Sequence, residues 1–300
     1  MEIRQLRYFI AIAHHGSLTK AARVLGVAQP ALSRHLKLLE DRLGVELFHR
    51  AQRGMMLTED GTRVQERAEF ILRELGQISA GGGSTSKGPS GLVVIGVTPS
   101  LAHALYCPVF AKVRALYPEI RLRLLADLTY DLEEWIHSGR IDLAVLTNPR
   151  LKSWLSLTDI ARESLYLVTP PTDRKAKSSC DMSALRNRRM VLTTPNDIVR
   201  LALDAHARMK RVPLKIEAEA ESIEATKQLV SRGLACTVLP FSAIYREFGR
   251  KELQISRIKG LEIRHVLAER ADRPKSHAIS EVAQVIMAEM GNLQKEGIIR

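Results

Sequence analysis

Residues 80–91 read AGGGSTSKGPSG, a run with no apolar side chain larger than alanine. Such a run cannot bury enough surface to offset the entropy of ordering it, so it behaves as a flexible linker. The 300-residue chain must therefore fold as separate parts on either side of it. The expected division is a first domain over 1–58, a connecting helix over 58–80, the linker over 81–91 and a larger domain over 92–300.

Ahead of the linker, residues 16–50 (GSLTKAARVLGVAQPALSRHLKLLEDRLGVELFHR) hold two short amphipathic segments joined by a tight turn. Leu18, Ala21, Ala22 and Leu25 fall at helical spacing, Gly26 suits the left-handed stop, and Pro30 is tolerated in the first turn of a new helix. In the second segment Leu32, Leu36, Leu39 and Leu43 form the apolar stripe, which leaves Gln29, Ser33, Arg34 and Lys37 on other faces. This is the pattern of a helix-turn-helix whose second helix reads a major groove. Gln29 and Pro30 open that helix at the end entering the groove. Gln29 and Arg34 suit adenine and guanine edges, and Ser33 suits a base or a phosphate. The hairpin pattern alone also fits a plain surface element.

The pattern continues past the hairpin. Leu47–Arg50 and Met55–Leu57 are short enough to be two strands of a wing, with Arg50 and Arg53 placed to bond phosphates or enter a narrow minor groove. A solvated basic turn is the plainer reading, and Arg50 could equally brace the fold against Glu40 or Glu46. From Thr58 to about Ser79 the spacing predicts one helix capped by Thr58. Its heptad seam runs through Leu57, Gly61, Val64, Ala68, Ile71, Leu75 and Ile78. Three heptads make a rod on the order of 30 Å. Val64, Ala68, Ile71, Leu75 and Ile78 are the expected dimer contacts, with packing of the stripe on its own domain as the alternative. Two reading helices on one rod address half-sites about 10 base pairs apart, or a multiple, on roughly palindromic double-stranded DNA.

Beyond the linker, short apolar runs (92–97, 120–126, 142–146, 165–169, 190–193) alternate with helical stretches (101–116, 132–138, 198–210, 223–231, 276–290). That is the signature of parallel α/β sheets, and the length suits two small subdomains.

Taken together, these residues resemble the LysR-type transcriptional regulators. The matching elements in the first domain are Gly16-Ser17, Ala21-Ala22, Leu25, Gln29-Pro30, Ser33, Leu39-Glu40, Leu43-Gly44, Leu47-Phe48 and Arg50. Ala28 departs from the pattern, because many members carry Ser or Thr there. In the larger domain LVVIGVTPS, SGRIDLAVL and AESIEATKQLVSRGLACTVLP (220–240) carry the resemblance. It implies a multidomain protein: an all-α winged helix-turn-helix with a long linker helix, then an α/β effector domain built like a periplasmic binding protein. Its two subdomains would span about 92–162 with 268–300, and about 165–264, joined by strands crossing near Glu163–Pro170 and Arg264–Arg270. The resemblance also implies a homodimer or dimer of dimers, with RNA polymerase as a further partner, and a small effector of unknown identity.

In such a domain the effector cleft lies outside the carboxyl ends of the strands, where loops and helix N-termini converge. Thr98, Ser100, Thr129 and Thr147 are the candidates on one side; Thr194, Pro195, Asn196 and Ile198 are those on the facing side. Each hydroxyl alone could equally be a helix cap.

Charge and composition narrow the alternatives. The formal net charge is +12 and the sequence pI about 9.8, which favours an anionic partner. Residues 1–80 hold twelve Lys and Arg against nine Asp and Glu, so most of the surplus lies beyond the DNA-reading region and is compatible with an anionic effector. Three cysteines without a C-x-x-C pair point to a reducing cytoplasm, with Cys236 in the core and Cys107 or Cys180 as conceivable redox sensors. His14-His15 read as cap and surface residues rather than metal ligands. No H-E-x-x-H, P-loop, G-x-G-x-x-G or G-x-S-x-G is present, so neither catalysis nor a cofactor or metal is expected. No apolar run spans a membrane, and the start reads as helix rather than signal peptide. The expected function is sequence-specific, effector-tuned transcriptional regulation. An α/β solute-binding or enzymatic protein with an accessory DNA-binding head is one alternative, and a non-specific architectural DNA binder is another.

Overall fold

The computed structural model describes residues 1–51, 54–81, 88–173, 176–273 and 275–300, excepting the side chains of 50, 51, 73, 74 and 77–81. The chain forms two compact units, one of Met1–Leu92 with His137–Arg140 and one of Val93–Ile136 with Ile141–Arg300.

The first unit contains helices α1 (Ile3–His15), α2 (Leu18–Leu25) and α3 (Gln29–Leu43), strands β1 (Phe48–Ala51) and β2 (Gly54–Leu57), and helix α4 (Glu59–Gly81). The apolar spacing puts Leu6, Phe9 and Ile12 of α1, Ala21 and Ala22 of α2, and Leu32, Leu36 and Leu39 of α3 into one core. Ser17 caps α2 by accepting from the Lys20 amide at 3.4 Å. Gly26 ends α2 at φ +66°, which a side chain would adopt only with strain. The wing is an antiparallel pair with Phe48 opposite Leu57 and Ala51 opposite Gly54. Thr58 then caps α4 by accepting from the Gly61 amide at 2.8 Å.

The long seam of α4 divides in two. Ala68 is 1% exposed, and Val64 and Ile71 pack half-buried against the same core, on α1. Expected at a dimer contact, Ala68 is instead covered by its own chain. A heptad stripe records that something covers it but not which chain does so. Leu75 lies half-buried farther along, and Ile78 is a position whose side chain lies outside the described set.

The second unit holds β3 (Gly91–Val97), α5 (Pro99–Leu116), β4 (Ile120–Ala126), α6 (Thr129–Ser138), β5 (Leu143–Thr147) and β6 (Leu155–Thr169). It continues with β7 (Ser179–Cys180), β8 (Arg189–Leu192), α7 (Ile198–Met209), β9 (Lys215–Glu219) and α8 (Ile223–Ser231). The remaining elements are β10 (Thr237–Pro240), α9 (Tyr245–Gly249), β11 (Gln254–Arg270) and α10 (His277–Lys295). The strand order is β10-β6-β11-β5-β3-β4, with β7 on β11 and a separate β8-β9 pair. β3-β5 and β8-β9 are parallel, but β6-β11, β11-β5 and β10-β6 are antiparallel. The sheet is therefore mixed, not parallel as the alternation of strands and helices predicts.

The mixing comes from β6 and β11. These two long strands pair along their lengths, from Leu155 opposite Arg270 to Thr169 opposite Gln254, and run through both lobes. At one end β5 joins His265–Ala268, and at the other β10 joins Leu165–Val168. Separate cores follow: Val93, Ile95, Leu101, Leu143 and Ile286 in one lobe, and Leu165, Met190, Leu203, Val238 and Ile263 in the other.

Candidate functional site

The reading face of α3 is exposed as the stripe dictates. Gln29, Pro30, Arg34 and Lys37 face solvent and Ser33 is half-buried, while Leu32, Leu36 and Leu39 point inward. Lys37 Nζ lies 3.1 Å from Asp41, one turn on. At the N-cap, Ala28 has extended backbone (ψ 135°) and no side-chain acceptor for the first amides. The wing places Arg50 opposite Met55; its side chain, and the whole of Arg53, lie outside the described residues. Glu40 accepts from the Leu47 amide at 2.9 Å. His14 is a surface residue paired with Glu69 at 3.1 Å.

In the second unit a narrow cleft opens between the lobes. Thr98 and Ser100 at the β3–α5 junction, Thr129 at the start of α6, Thr147 at the end of β5 and Ile198 at the start of α7 all line it. Five of the eight expected residues thus converge from four strand-to-helix or loop segments. Thr193, not Thr194, provides the hydroxyl of the facing lobe. Asn196 lines an adjoining groove with Tyr130, Asn148 and Arg150, and Thr194 and Pro195 line neither. Pattern reading missed Leu128, Asp197, Glu221, Ile223, Leu239 and Pro240. Asp197 carried a signal as an N-cap residue before an apolar stretch, and it accepts from the Val199 and Arg200 amides at 2.8 and 3.1 Å.

The cleft hydroxyls are wired into the backbone and into each other. Thr129 Oγ1 donates to the Thr147 carbonyl at 3.1 Å and accepts from its amide at 3.3 Å. Thr98 does not cap α5; its Oγ1 lies 3.2 Å from Thr147 Oγ1 instead.

Comparison with known proteins bears on both units. Residues 3–62 match the family described as bacterial regulatory helix-turn-helix protein, lysR family, and residues 86–291 match the LysR substrate binding domain. The chain belongs to the LysR family. The nitrogen assimilation regulatory protein nac of Escherichia coli is a LysR relative 31% identical over 294 residues, 96% of each chain. A probable hydrogen peroxide-inducible genes activator of Streptomyces viridosporus is 30% identical over 250 residues, 83% of this chain and 80% of that one. Among solved structures, CbnR complexed with its target DNA has a TM-score of 0.74 at 22% identity, covering 96% of this chain and 100% of that one. Full-length OxyR from Pseudomonas aeruginosa, in a variant form, has a TM-score of 0.72 at 22% identity and covers 97% of each. These likenesses carry the LysR fold.

Within that fold the three cysteines are dispersed. Cys107 is exposed; Cys180 and Cys236 are half-buried, and burial pushes both of their thiols up, against thiolate formation. Cys236 packs half-buried against the far-lobe core, and Arg188 reaches its Sγ at 3.7 Å. Among the described residues no helix is long and apolar enough to cross a membrane.

Proposed function

We propose that this LysR-family regulator is a cytoplasmic protein that binds roughly palindromic double-stranded DNA as a homodimer or dimer of dimers, and that a small anionic effector in the cleft tunes its activity. In this reading α3 enters the major groove with Gln29, Ser33, Arg34 and Lys37, and Arg50 and Arg53 lie along the backbone or minor groove. RNA polymerase is the partner downstream of binding.

The observation that supports an effector most strongly is the convergence of Thr98, Ser100, Thr129 and Thr147 on one cleft between lobes that share the long strands β6 and β11. Isolated caps have no reason to converge, and the N-terminus of α5 beside Ser100 favours negative charge. Closing the lobes on an occupant is a hinge motion, which gives binding a mechanical readout.

Two measurements test this. Footprinting should give discrete protection over a palindromic site; uniform coverage would overturn sequence-specific regulation. A thermal-shift screen of the chain against small metabolite anions should find a stabilising one, because a ligand that binds only the folded form raises stability by mass action. Ser100→Val should abolish that shift and leave DNA affinity unchanged. An undiminished shift in Ser100→Val would move the effector out of this cleft.

A further inference from the structure

The cleft poses an electrostatic problem. Its described lining includes Asp197 and Glu221 but no lysine, arginine or histidine, so an anion there lacks a direct counter-charge. Beneath the cleft floor, however, a chain of buried polar contacts crosses the whole hinge. Thr147 Oγ1, already 3.2 Å from Thr98 Oγ1, lies 3.2 Å from His265 Nδ1. His265 Nε2 lies 2.9 Å from Glu163 Oε2. Glu163 in turn accepts from the Ser242 amide at 2.7 Å and the Ser242 hydroxyl at 3.1 Å.

Thr98 is 5% exposed and the other four residues are 0–1% exposed. Glu163 and His265 sit on the two crossing strands, with a register irregularity directly after His265. Ser242 follows β10 in the far lobe, and Thr98 and Thr147 belong to the near one.

Proton accounting gives this chain two states with the same heavy-atom positions. The Glu163 carboxylate fixes a proton on His265 Nε2 in both. When the imidazole is neutral, Nδ1 accepts from Thr147, Thr147 accepts from Thr98, and the Thr98 proton is committed inward. The cleft then meets only lone pairs. When the ring is an imidazolium, Nδ1–H donates to Thr147, Thr147 donates to Thr98, and the Thr98 proton is released to point into the cleft. Thr129 cannot replace it, because its own proton is given to the Thr147 carbonyl.

We propose that His265 is a positioning residue that sets whether Thr98 presents an acceptor or a donor, and that an anion enters the cleft together with one proton taken from solvent onto His265 Nδ1. Uptake of that proton takes the buried His265–Glu163 pair from one negative charge to none, which lifts a repulsion beneath a lining that already carries Asp197 and Glu221. The groups facing His265 are Glu163 on β6 and Thr147 on β5, with Ser242 beyond Glu163 neutral. The neighbouring Arg264 turns instead to Asp159, at 3.1 Å. This inference rests on the cleft being an effector site.

Sulfate is the probe, since it keeps its charge across the relevant pH range, with chloride at matched ionic strength as control. Histidine-labelled protein is titrated by NMR with and without sulfate, and thermal stabilisation by sulfate is followed from pH 5.5 to 8.5. His265 is assigned by the signal lost in His265→Gln. Sulfate should raise the His265 midpoint, and its affinity should fall about tenfold per pH unit between the free and bound midpoints, as uptake of one proton requires. Thr147→Val, which cuts the relay but leaves the Glu163 contact, should remove the midpoint shift. Stabilisation by sulfate that is independent of pH, with an unmoved His265 midpoint, overturns the coupling alone. No stabilisation at any pH overturns the anion-binding cleft, and the coupling with it.

Discussion

Gly61 lies against the backbone of Leu47, so closely that a Cβ on the glycine would stand 2.1 Å from the Leu47 carbonyl oxygen. That same carbonyl accepts from the Thr58 amide at 3.0 Å. Thr58 also donates its hydroxyl to the Glu46 carbonyl at 2.7 Å while accepting from Gly61. Entry to the wing and start of the long helix are therefore one knot.

Two effects oppose each other when Gly61 becomes alanine. Helix propensity favours alanine by about 1 kcal/mol, but overpacking a fixed backbone costs roughly 1–3 kcal/mol. Gly61→Ala should thus lower stability in urea denaturation. Gly76→Ala, in the same helix with nothing within 4 Å of the added carbon, should raise it slightly. A stabilised Gly61→Ala protein would mean the knot yields.

Ala28 is the converse case, a position where a group is missing. With an extended backbone and no side-chain acceptor at the N-cap, the first amides of α3 go without a protein cap. Ala28→Ser supplies one and should stabilise the first unit by about 1 kcal/mol. Denaturation followed by a probe in the first unit measures it, and an unchanged midpoint would mean water already serves those amides as well.

Lys37 is held by Asp41 when DNA is absent, and both are exposed, so the pair itself contributes little to stability. On DNA the carboxylate competes with a phosphate for the ammonium and repels the backbone. Asp41→Asn should therefore tighten binding to all sequences alike, whereas Lys37→Ala should reduce the slope of affinity against salt by about one unit. Arg34→Ala should instead lose roughly 1–3 kcal/mol chiefly at one base position. Gel-shift titrations at several salt concentrations on consensus and mutated sites separate these outcomes.

The elements were legible where one period dominates. The spacing of Leu32, Leu36 and Leu39 places α3 and its exposed face, and the apolar run from Ile120 to Ala126 is β4. What was not legible depends on distant partners. Strand β6 begins at Leu155, ten residues ahead of its apolar run, because its first half (LSLTDIARES) is held by pairing with β11 rather than by its own hydrophobicity. Glu163 and His265 carry no local pattern at all, and only the crossing of two strands brings them together, 102 residues apart. Thr98 and Thr147 could be read as cleft residues because each sits at a strand's carboxyl end, a position that topology assigns. Glu221 and Leu239 also sit at or just past strand carboxyl ends, those of β9 and β10, but as a carboxylate and an apolar side chain they carry none of the hydroxyl chemistry that marked Thr98 and Thr147.

The divided seam of α4 makes the last prediction. Ala68 is enclosed by its own domain, so Ala68→Glu buries an unpaired charge there and should unfold the first unit, seen as lost helical signal in circular dichroism. Leu75 is half-buried farther along the same stripe, where the narrow apolar row is proposed to meet a second copy. Leu75→Glu should keep the helical signal and shift sedimentation toward monomer. Loss of the second reading head then removes the avidity of two linked half-sites, an effect of about 10²-fold or more on a palindrome, with binding to an isolated half-site unchanged. A Leu75→Glu protein that sediments as the wild type would assign self-association to a surface other than the distal half of α4.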